Sequence, residues 1–290
     1  MRRRAFFPHR AASPLNDVAD PRMPNFKLII EYDGTAYRGW QRQADGPTVQ
    51  AEIERAIARM TRTHVTLIGA GRTDAGVHAL GQVANFRCDT RLTCEAILKG
   101  LNGLLPSDIA IRACCPMPEE FHARFAAISK RYHYHILNRS DRAAVGRNYA
   151  WFIHRPLDME AMQRAAECLL GRQDFKAFES AGSPRAQTQR TVMHADWIAE
   201  EDRRLIFRIQ ADGFLRGMVR NIVGTLVAVG LGKLDPRDMG AILASRDRRR
   251  AGVTAPARGL FLVEVHYGCR CHGGGEATGS GGFERPGSRL

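Results

Sequence analysis

The residues with the clearest chemical potential lie in one short glycine-rich loop, which follows a predicted apolar strand at residues 65–68. The loop reads Gly-Ala-Gly-Arg-Thr-Asp-Ala-Gly-Val-His over residues 69–78 and places a carboxylate, Asp74, two residues after a guanidinium, Arg72. Glycines permit positive φ angles and let a ligand approach the backbone closely. Functional residues also concentrate on loops that a rigid scaffold holds in place. Asp74 is therefore the leading candidate for a reactive group.

The spacing of this loop leaves other interpretations open. A phosphate cradle is disfavoured, because the third glycine comes late for G-x-G-x-x-G and no lysine follows Gly76 as in a P-loop. Asp74 could instead cap a helix or close an Asx turn, which would be a purely structural role. Asp74 and His78 could also be two metal ligands, but no third ligand follows at a familiar spacing. We therefore expect no metal site.

A second candidate group alternates aromatic and cationic residues along one predicted strand, Arg-Tyr-His-Tyr-His-Ile at residues 131–136. Because neighbouring side chains of a strand point to opposite faces, Tyr132, Tyr134 and Ile136 share one face. An aromatic ring beside cations can stack on an unpaired base, which contributes about 1–3 kcal/mol per base. The alternative is an ordinary core strand whose tyrosines pack in the interior.

Arg220 is a single charge in a strongly apolar helical pattern at residues 218–227. A buried guanidinium needs an anionic partner, and we expect this partner to be Asp74. The alternative is that the long side chain of Arg220 reaches solvent beside Arg216, one helical turn earlier.

The charge balance indicates a polyanionic partner. The chain of 290 residues carries 43 Lys and Arg against 30 Asp and Glu, a formal net charge of +13. Residues 1–24 hold +3 of this excess and residues 269–290 hold +1, which leaves +9 on the residues between them. A basic folded body, rather than a basic tail alone, favours nucleic acid as the partner. The composition, 44% hydrophobic and 25% charged, is typical of globular proteins.

Hydrophobic periodicity predicts an α+β fold with a mainly antiparallel sheet. The expected strands are residues 26–32, 65–68, 82–86, 109–112, 131–138, 195–198, 205–210 and 260–267. The expected helices are residues 49–60, 94–101, 159–170, 216–229 and 237–245, with Thr48 and Asp158 as N-caps. We expect a disordered basic extension at residues 1–24, halves at 25–125 and 126–268, and a disordered glycine-rich tail at 269–290.

The cysteines and the hydropathy pattern favour a cytoplasmic protein. Seven cysteines form no C-x-x-C pair, which is typical of reduced thiols in the cytoplasm. The run Arg2-Arg3-Arg4 is not followed by the apolar segment of an export signal. No apolar run approaches the ~18 residues that a membrane span requires. We therefore expect no contact with a membrane.

Taken together, these segments resemble the tRNA pseudouridine synthase A family. The motif Arg-Thr-Asp-Ala-Gly-Val-His at residues 72–78 is the most specific part of the resemblance. The matching stretches are residues 31–34, 39–43, 69–86, 101–102, 105–106, 108–109, 121–125, 131–134, 218–224 and 259–260. They follow the family's order across residues 26–267.

The resemblance implies isomerisation of uridine to pseudouridine in the tRNA anticodon arm, typically at positions 38, 39 and 40. Asp74 would be the nucleophile, and Arg220 would pair with it. Tyr132 would stack on the target base, with its hydroxyl a candidate for proton removal, and Arg72 would help to displace the uridine from the helix. The implied fold has two RRM-like, ferredoxin-like halves that share one continuous sheet flanked by helices. The family commonly works as a homodimer whose basic cleft holds tRNA.

Two other classes of protein stay open from the residues alone. One is a non-catalytic RNA-binding protein that uses the same basic and aromatic surface. The other is a nucleotide-dependent enzyme that uses the loop at residues 69–76. For an isomerase, the residue types leave three routes open: Asp74 could attack C6, attack C1′ or abstract a ribose proton. None of these routes involves a redox change or a net group transfer, so we expect no cofactor.

Overall fold

A computed structural model describes residues 23–180, 182 and 187–268, whose strands form one sheet. The strands are β1 (Asn25–Tyr32), β2 (Ile68–Gly69), β3 (His78–Arg87), β4 (Ile109–Met117), β5 (Ala127–Asn138), β6 (Trp151–Ile153), β7 (Gly171–Asp174), β8 (Gln189–Glu200), β9 (Arg204–Ala211) and β10 (Leu260–Tyr267). The helices are α1 (Val49–Thr61), α2 (Cys94–Leu104), α3 (Met159–Glu167), α4 (Met218–Gly230) and α5 (Asp238–Ser245). The mixed composition and the single large sheet confirm the expected α+β class.

The order of the strands shows the same arrangement in each half of the sheet. The sheet runs β4-β1-β3-β10-β5-β9-β8-β7, with β2 beside β3 and β6 beside β5. In the first half the chain runs β1-α1-β2-β3-α2-β4, and its strands lie in the order β4-β1-β3-β2. In the second half the chain runs β5-α3-β8-β9-α4-β10 with β6, β7 and α5 inserted, and the main strands lie in the order β10-β5-β9-β8. This is the ferredoxin-like arrangement. The exact division at residues 125 and 126 stays a prediction.

The two halves meet where β10 lies parallel to the beginning of β3. Phe261 pairs with His78, and Leu262 pairs with Ala79. On its other side β10 is antiparallel to β5, where Leu262 is opposite Tyr132. The glycine-rich loop, which ends at the start of β3, is therefore held at the junction of the halves and one strand away from β5.

The strand β2 is much shorter than predicted, because side chains of α1 bind the backbone that would have extended it. The carboxylate of Glu54 accepts a hydrogen bond from the backbone N–H of Leu67 at 2.9 Å. The amide of Gln50 donates to the carbonyl of Leu67 at 3.0 Å. With both backbone groups of Leu67 occupied, only Ile68 and Gly69 pair with β3.

The helix ends also differ from the prediction, and α2 continues to Leu104 rather than ending at residue 101. Thr48 precedes α1 as expected, but its buried hydroxyl makes no hydrogen bond to the helix, so it does not act as a side-chain cap. Asp158 does cap α3, because its carboxylate accepts from the N–H of Ala161 at 2.9 Å. The α3 helix ends at Glu167 rather than at residue 170, since the following residues tighten into a turn before Gly171, which has a φ of +85°.

Several other predictions can be compared with the structure. The short strands β6 and β7 were missed, because three or four residues are too few for a hydropathy pattern. The cysteines within the described ranges, at positions 88, 94, 114, 115 and 168, form no disulfide bond. None of the described helices is both long and apolar enough to cross a membrane. The predicted extensions at residues 1–24 and 269–290 lie outside the described residues, apart from Met23 and Pro24.

Candidate active site

The structure brings together Asp74 and Arg220, which are distant in sequence. The Nη1 atom of Arg220 lies 2.9 Å from the Oδ2 atom of Asp74, in an ion pair between the loop and the first turn of α4. The side chain of Arg220 is 21% exposed and that of Asp74 is 37% exposed, so both charged groups are partly accessible to solvent. The alternative in which Arg220 simply reaches solvent is therefore wrong.

The carboxylate of Asp74 has no structural task in its own loop. Among the described residues it accepts a hydrogen bond from Arg220 and from no backbone N–H. An N-cap or an Asx turn would require such a backbone donor. Neither structural alternative for Asp74 is therefore supported, and the carboxylate remains available to a substrate.

The guanidinium of Arg220 is fixed by the segment that packs on α4. Its Nε atom donates to the carbonyl of Ala255 at 2.8 Å, and the N–H of Ala255 donates back to the carbonyl of Arg220 at 3.0 Å. This approach requires glycine on the helix, because a Cβ at Gly224 would lie 1.6 Å from the carbonyl oxygen of Val253. Close packing at Gly224 thus sets the position of the cation that binds Asp74.

The loop itself is held by bonds on both sides of Asp74. The Thr73 hydroxyl lies 2.7 Å from the hydroxyl of Tyr32, and the Thr73 carbonyl accepts from the N–H of Trp40 at 3.2 Å. The buried amide of Gln82 donates to the carbonyl of Gly71 at 2.9 Å. Burial raises the pKa of Tyr32 to about 12, so its hydroxyl stays protonated as a bridge between strand and loop. Asp74 is therefore carried on a preorganised backbone.

The glycines of the loop act differently from the sequence prediction. Only Gly76 has a positive φ, +75°, in a turn that the N–H of Val77 closes on the carbonyl of Asp74. Gly69 instead makes room for a neighbouring ring, since a Cβ there would lie 2.5 Å from Nε1 of Trp40. The prediction that all three glycines serve positive φ angles or ligand approach is thus wrong for Gly69.

Sequence reasoning also missed Gly39, which lets a second segment reach the loop. Its φ is +94°, and a Cβ would lie only 2.6 Å from the carbonyl oxygen of Thr73. A local signal was present, since Gly39 stands beside Trp40 in one of the family-like stretches. Its contact with residue 73 depends on the tertiary fold and could not be deduced from spacing.

Tyr132 lies on the expected face of β5, together with buried Tyr134 and Ile136. It is 7% exposed, and its ring makes an edge contact with Phe214 at a centroid distance of 5.0 Å. Burial raises the pKa of Tyr132, and the neighbouring Tyr32 and Asp74 raise it further. Within the described residues no group forms a hydrogen bond with its hydroxyl, whereas the Tyr134 hydroxyl donates to Pro256 at 2.8 Å. The core-strand interpretation therefore fits Tyr134. The hydroxyl of Tyr132 has no hydrogen-bond partner among the described residues and lies near Asp74.

Arg72 is not part of the ion pair. Its side chain is exposed, and it forms neither an ion pair nor a hydrogen bond with other described residues. The structure therefore places Arg72 at the rim of the site, on the solvent side of the loop.

His78, at the end of the loop, joins the two halves. Its Nδ1 atom accepts from the N–H of Gly34 at 3.1 Å, its Nε2 atom lies 3.1 Å from the carbonyl of Asn148, and its ring stacks on Phe261 at 4.7 Å. Burial lowers the pKa of His78, while the carboxylate of Asp33, whose Oδ1 atom lies 3.0 Å from Nδ1, opposes this shift. Since both nitrogens are occupied, the metal-ligand alternative is not supported for His78. Across the described ranges, no three His, Cys, Asp or Glu side chains form a group suited to a metal ion.

Comparison with known proteins assigns the chain to a family. A sequence model described as tRNA pseudouridine synthase matches residues 28–126 and 165–268. The tRNA pseudouridine synthase A of Acetivibrio thermocellus is 49% identical over 245 residues, which cover 84% of this chain and all of that protein. The enzyme of the same name from Geotalea daltonii is 47% identical over 245 residues, with the same coverage.

Among solved structures, the archaeal box H/ACA Nop10–Cbf5 complex is similar at a TM-score of 0.33 and 11% identity, covering 84% of this chain and 46% of that one. That likeness is too remote to support a conclusion. The sequence matches are much stronger, since they include more than half of the chain and the full length of the relatives. The chain belongs to the tRNA pseudouridine synthase family, as its motifs predicted, and it is an isomerase.

Proposed function

We propose that this enzyme converts uridine to pseudouridine in the anticodon arm of tRNA, at positions 38, 39 and 40, with Asp74 as the nucleophile. One observation carries the proposal: an accessible carboxylate on a fixed loop, paired at 2.9 Å with Arg220 and free of any structural bond of its own. A carboxylate can form and release a covalent intermediate without any coenzyme.

The chemistry balances within the nucleoside. The N1–C1′ bond breaks, the base turns, and a C5–C1′ bond forms while C5 loses a proton and N1 gains one. No electron acceptor and no second substrate is needed. The protein has to supply the attacking carboxylate, hold the detached base beside the ribose, move a proton, and break the bond to Asp74 again before the product leaves. Arg220 keeps Asp74 oriented for this work, and the unbonded hydroxyl of Tyr132 is suited to the proton step.

The target base must leave the stacked RNA before Asp74 can reach it. Extruding a nucleotide costs a few kcal/mol, which contacts with the protein must offset. The ring of Tyr132 supplies a stacking surface near Asp74, and the exposed Arg72 can occupy the space that the uridine vacates. The phosphates of tRNA are matched by the +9 charge of residues 25–268.

The finer aspects of the assignment belong to the same proposal. We place the enzyme in the cytoplasm, where its tRNA substrate and reducing conditions are found, and we propose that it acts as a homodimer around a basic cleft. Residues 25–125 would carry the catalytic loop, and residues 126–268 would supply Tyr132 and Arg220.

The direct test is conversion of an unmodified tRNA transcript. We expect pseudouridine only at positions 38, 39 and 40, in a reaction that needs no added nucleotide or metal. Binding without conversion would favour the non-catalytic alternative, and a requirement for ATP or NAD would favour the nucleotide-dependent one. Affinity should fall steeply as salt rises, and a flat salt dependence would contradict the basic cleft.

A further inference from the structure

We infer that Lys130, together with Arg124 and Arg190, forms a phosphate-binding site beside the glycine-rich loop at residues 69–78. This site would hold the backbone phosphate next to the flipped uridine. The inference rests on the proposed function, because it assigns the ligand of a surface that borders the same site. No motif of the sequence analysis accounted for these three cations as a group.

Lys130 is placed in the site by the geometry of β5. It lies two residues before Tyr132, so both side chains project from the same face of the strand. The register agrees, since Lys130 is opposite Ala211 and Tyr132 is opposite Ile209 on the neighbouring strand. Two residues of a strand span about 6.5 Å. Lys130 therefore lies about one nucleotide length from the ring of Tyr132, on which the target base is proposed to stack.

The catalytic loop makes room for this lysine. A Cβ at Gly71 would lie 3.2 Å from Cε of Lys130, so the aliphatic stem passes directly over the backbone of Gly71. Gly71 lies three residues before Asp74 and immediately before Arg72. A side chain at position 71 would press on the stem of Lys130, at the place where the sequence analysis expected a ligand to approach.

Lys130 lacks a direct partner among the described residues. It is half-buried, and it forms no ion pair or hydrogen bond within the part of the chain that the structure describes. Burial lowers its pKa, the positive charges of Arg124 and Arg190 lower it further, and Asp212 opposes them. The Asp212 carboxylate, which accepts from the N–H of Thr191 at 3.0 Å, therefore offsets part of the positive charge of the three cations. An anion bound here would relieve the repulsion among the three cations.

The surroundings favour a polynucleotide over a free anion. The guanidinium of Arg124 lies over the ring of Phe125, 5.5 Å from its centroid. The Phe125 ring is 76% exposed, an unusual position for a large apolar side chain. A cation beside an exposed ring is the combination that binds the phosphate and the base of an unpaired nucleotide. The side chain of Arg190 packs over Gly213, and its Nη1 atom also donates to the carbonyls of Gln187 and Gln189.

The test is binding of a stem-loop RNA across a salt series by Lys130→Met, which keeps the stem and removes the charge. All proteins carry Asp74→Asn, so that no conversion occurs during the measurement. We expect affinity to fall roughly tenfold at low salt and the slope of log K against log salt to flatten by about 1. Lys99→Met is the matched control, since Lys99 is 76% exposed on α2 and pairs only with Glu95 among the described residues.

RNA with one uncharged methylphosphonate linkage gives a second measurement that does not depend on a variant's fold. Neutralising the linkage on one side of the target uridine should lower the affinity of the protein that has Lys130. The same change in the RNA should not lower the affinity of the Lys130→Met protein any further. Arg124→Met, at an exposed position, should flatten the salt slope in the same way. If no single linkage matters, or if the two losses add, the inference is wrong. Conversion by the unaltered enzyme tests the proposed function separately, and it can succeed while this inference fails.

Discussion

Replacing Arg220 by methionine tests the ion pair that organises the site. Two unit charges about 4 Å apart attract by about 1 kcal/mol in water and about 4 kcal/mol at the effective dielectric of a protein surface. With Asp74 37% exposed and Arg220 21% exposed, a value of about 2–3 kcal/mol is reasonable. If this energy serves to orient and stabilise the reacting carboxylate, its loss should slow the chemical step about 30- to 150-fold.

The effect on folding should be smaller. Methionine retains most of the packing of the aliphatic stem, and the hydrogen bond from Nε to Ala255 is worth about 1 kcal/mol. Asp74 is exposed enough to be hydrated once its partner is gone. We therefore expect the free energy of unfolding to fall by only about 1–2 kcal/mol.

The assay is single-turnover conversion of tRNA with enzyme in excess, combined with urea unfolding of the same preparations. Arg164→Met on α3 is a suitable control, because that arginine is 58% exposed and its ion pair is with Glu160. Arg220→Lys should be intermediate, since one ammonium group cannot reproduce the two directions in which the guanidinium donates. A rate for Arg220→Met equal to that of the control would refute the reasoning, as would a loss of rate explained entirely by unfolding.

Three further predictions concern other parts of the structure. Tyr132→Phe should bind tRNA normally but turn over about 100-fold more slowly, and unchanged turnover would remove its hydroxyl from proton transfer. Gly224→Ala should lower the free energy of unfolding by about 1–3 kcal/mol, because its Cβ would meet the carbonyl of Val253 at 1.6 Å; Gly240→Ala, with nothing within 4 Å, should be neutral or stabilising in the same urea titration. Burial lowers the pKa of His135 from 6.5 to about 4, so between these values the unfolded chain binds a proton that the folded chain does not. His135 should therefore contribute a fall in stability of about 1.4 kcal/mol per pH unit as the pH drops through that window, and a His135→Gln variant that keeps the slope of the unaltered protein would contradict this assignment.

The parts of the fold that repeat a local pattern could be predicted from the sequence. The alternation at residues 131–136 placed Tyr132 on the buried face because the period of a strand is fixed. The apolar pattern around Arg220 correctly indicated a helix buried on most sides, and a charge in such a helix had few anionic partners to choose from. Asp74 followed from its motif, although its catalytic role stays a prediction.

The contacts that hold the loop could not be predicted, because they join residues far apart in sequence. The fit of Gly39 against Thr73 and of Gly69 against Trp40 depends on distances that no local pattern encodes. The shortening of β2 has the same origin, since side chains of α1 take up the backbone groups of Leu67. Spacing alone suggested that the loop glycines face a ligand. At Gly69 the missing side chain instead makes room for the ring of Trp40.

The most direct test of the central claim is the single-turnover rate of Asp74→Ala with an unmodified tRNA transcript. The variant should fold, since Asp74 contributes no structural bond except the ion pair, and it should still bind tRNA. Its conversion of uridine to pseudouridine should be undetectable, while Asp45→Ala at an exposed position should react at the normal rate. A folded Asp74→Ala protein that forms pseudouridine as fast as the unaltered enzyme would contradict the assignment of Asp74 as the nucleophile.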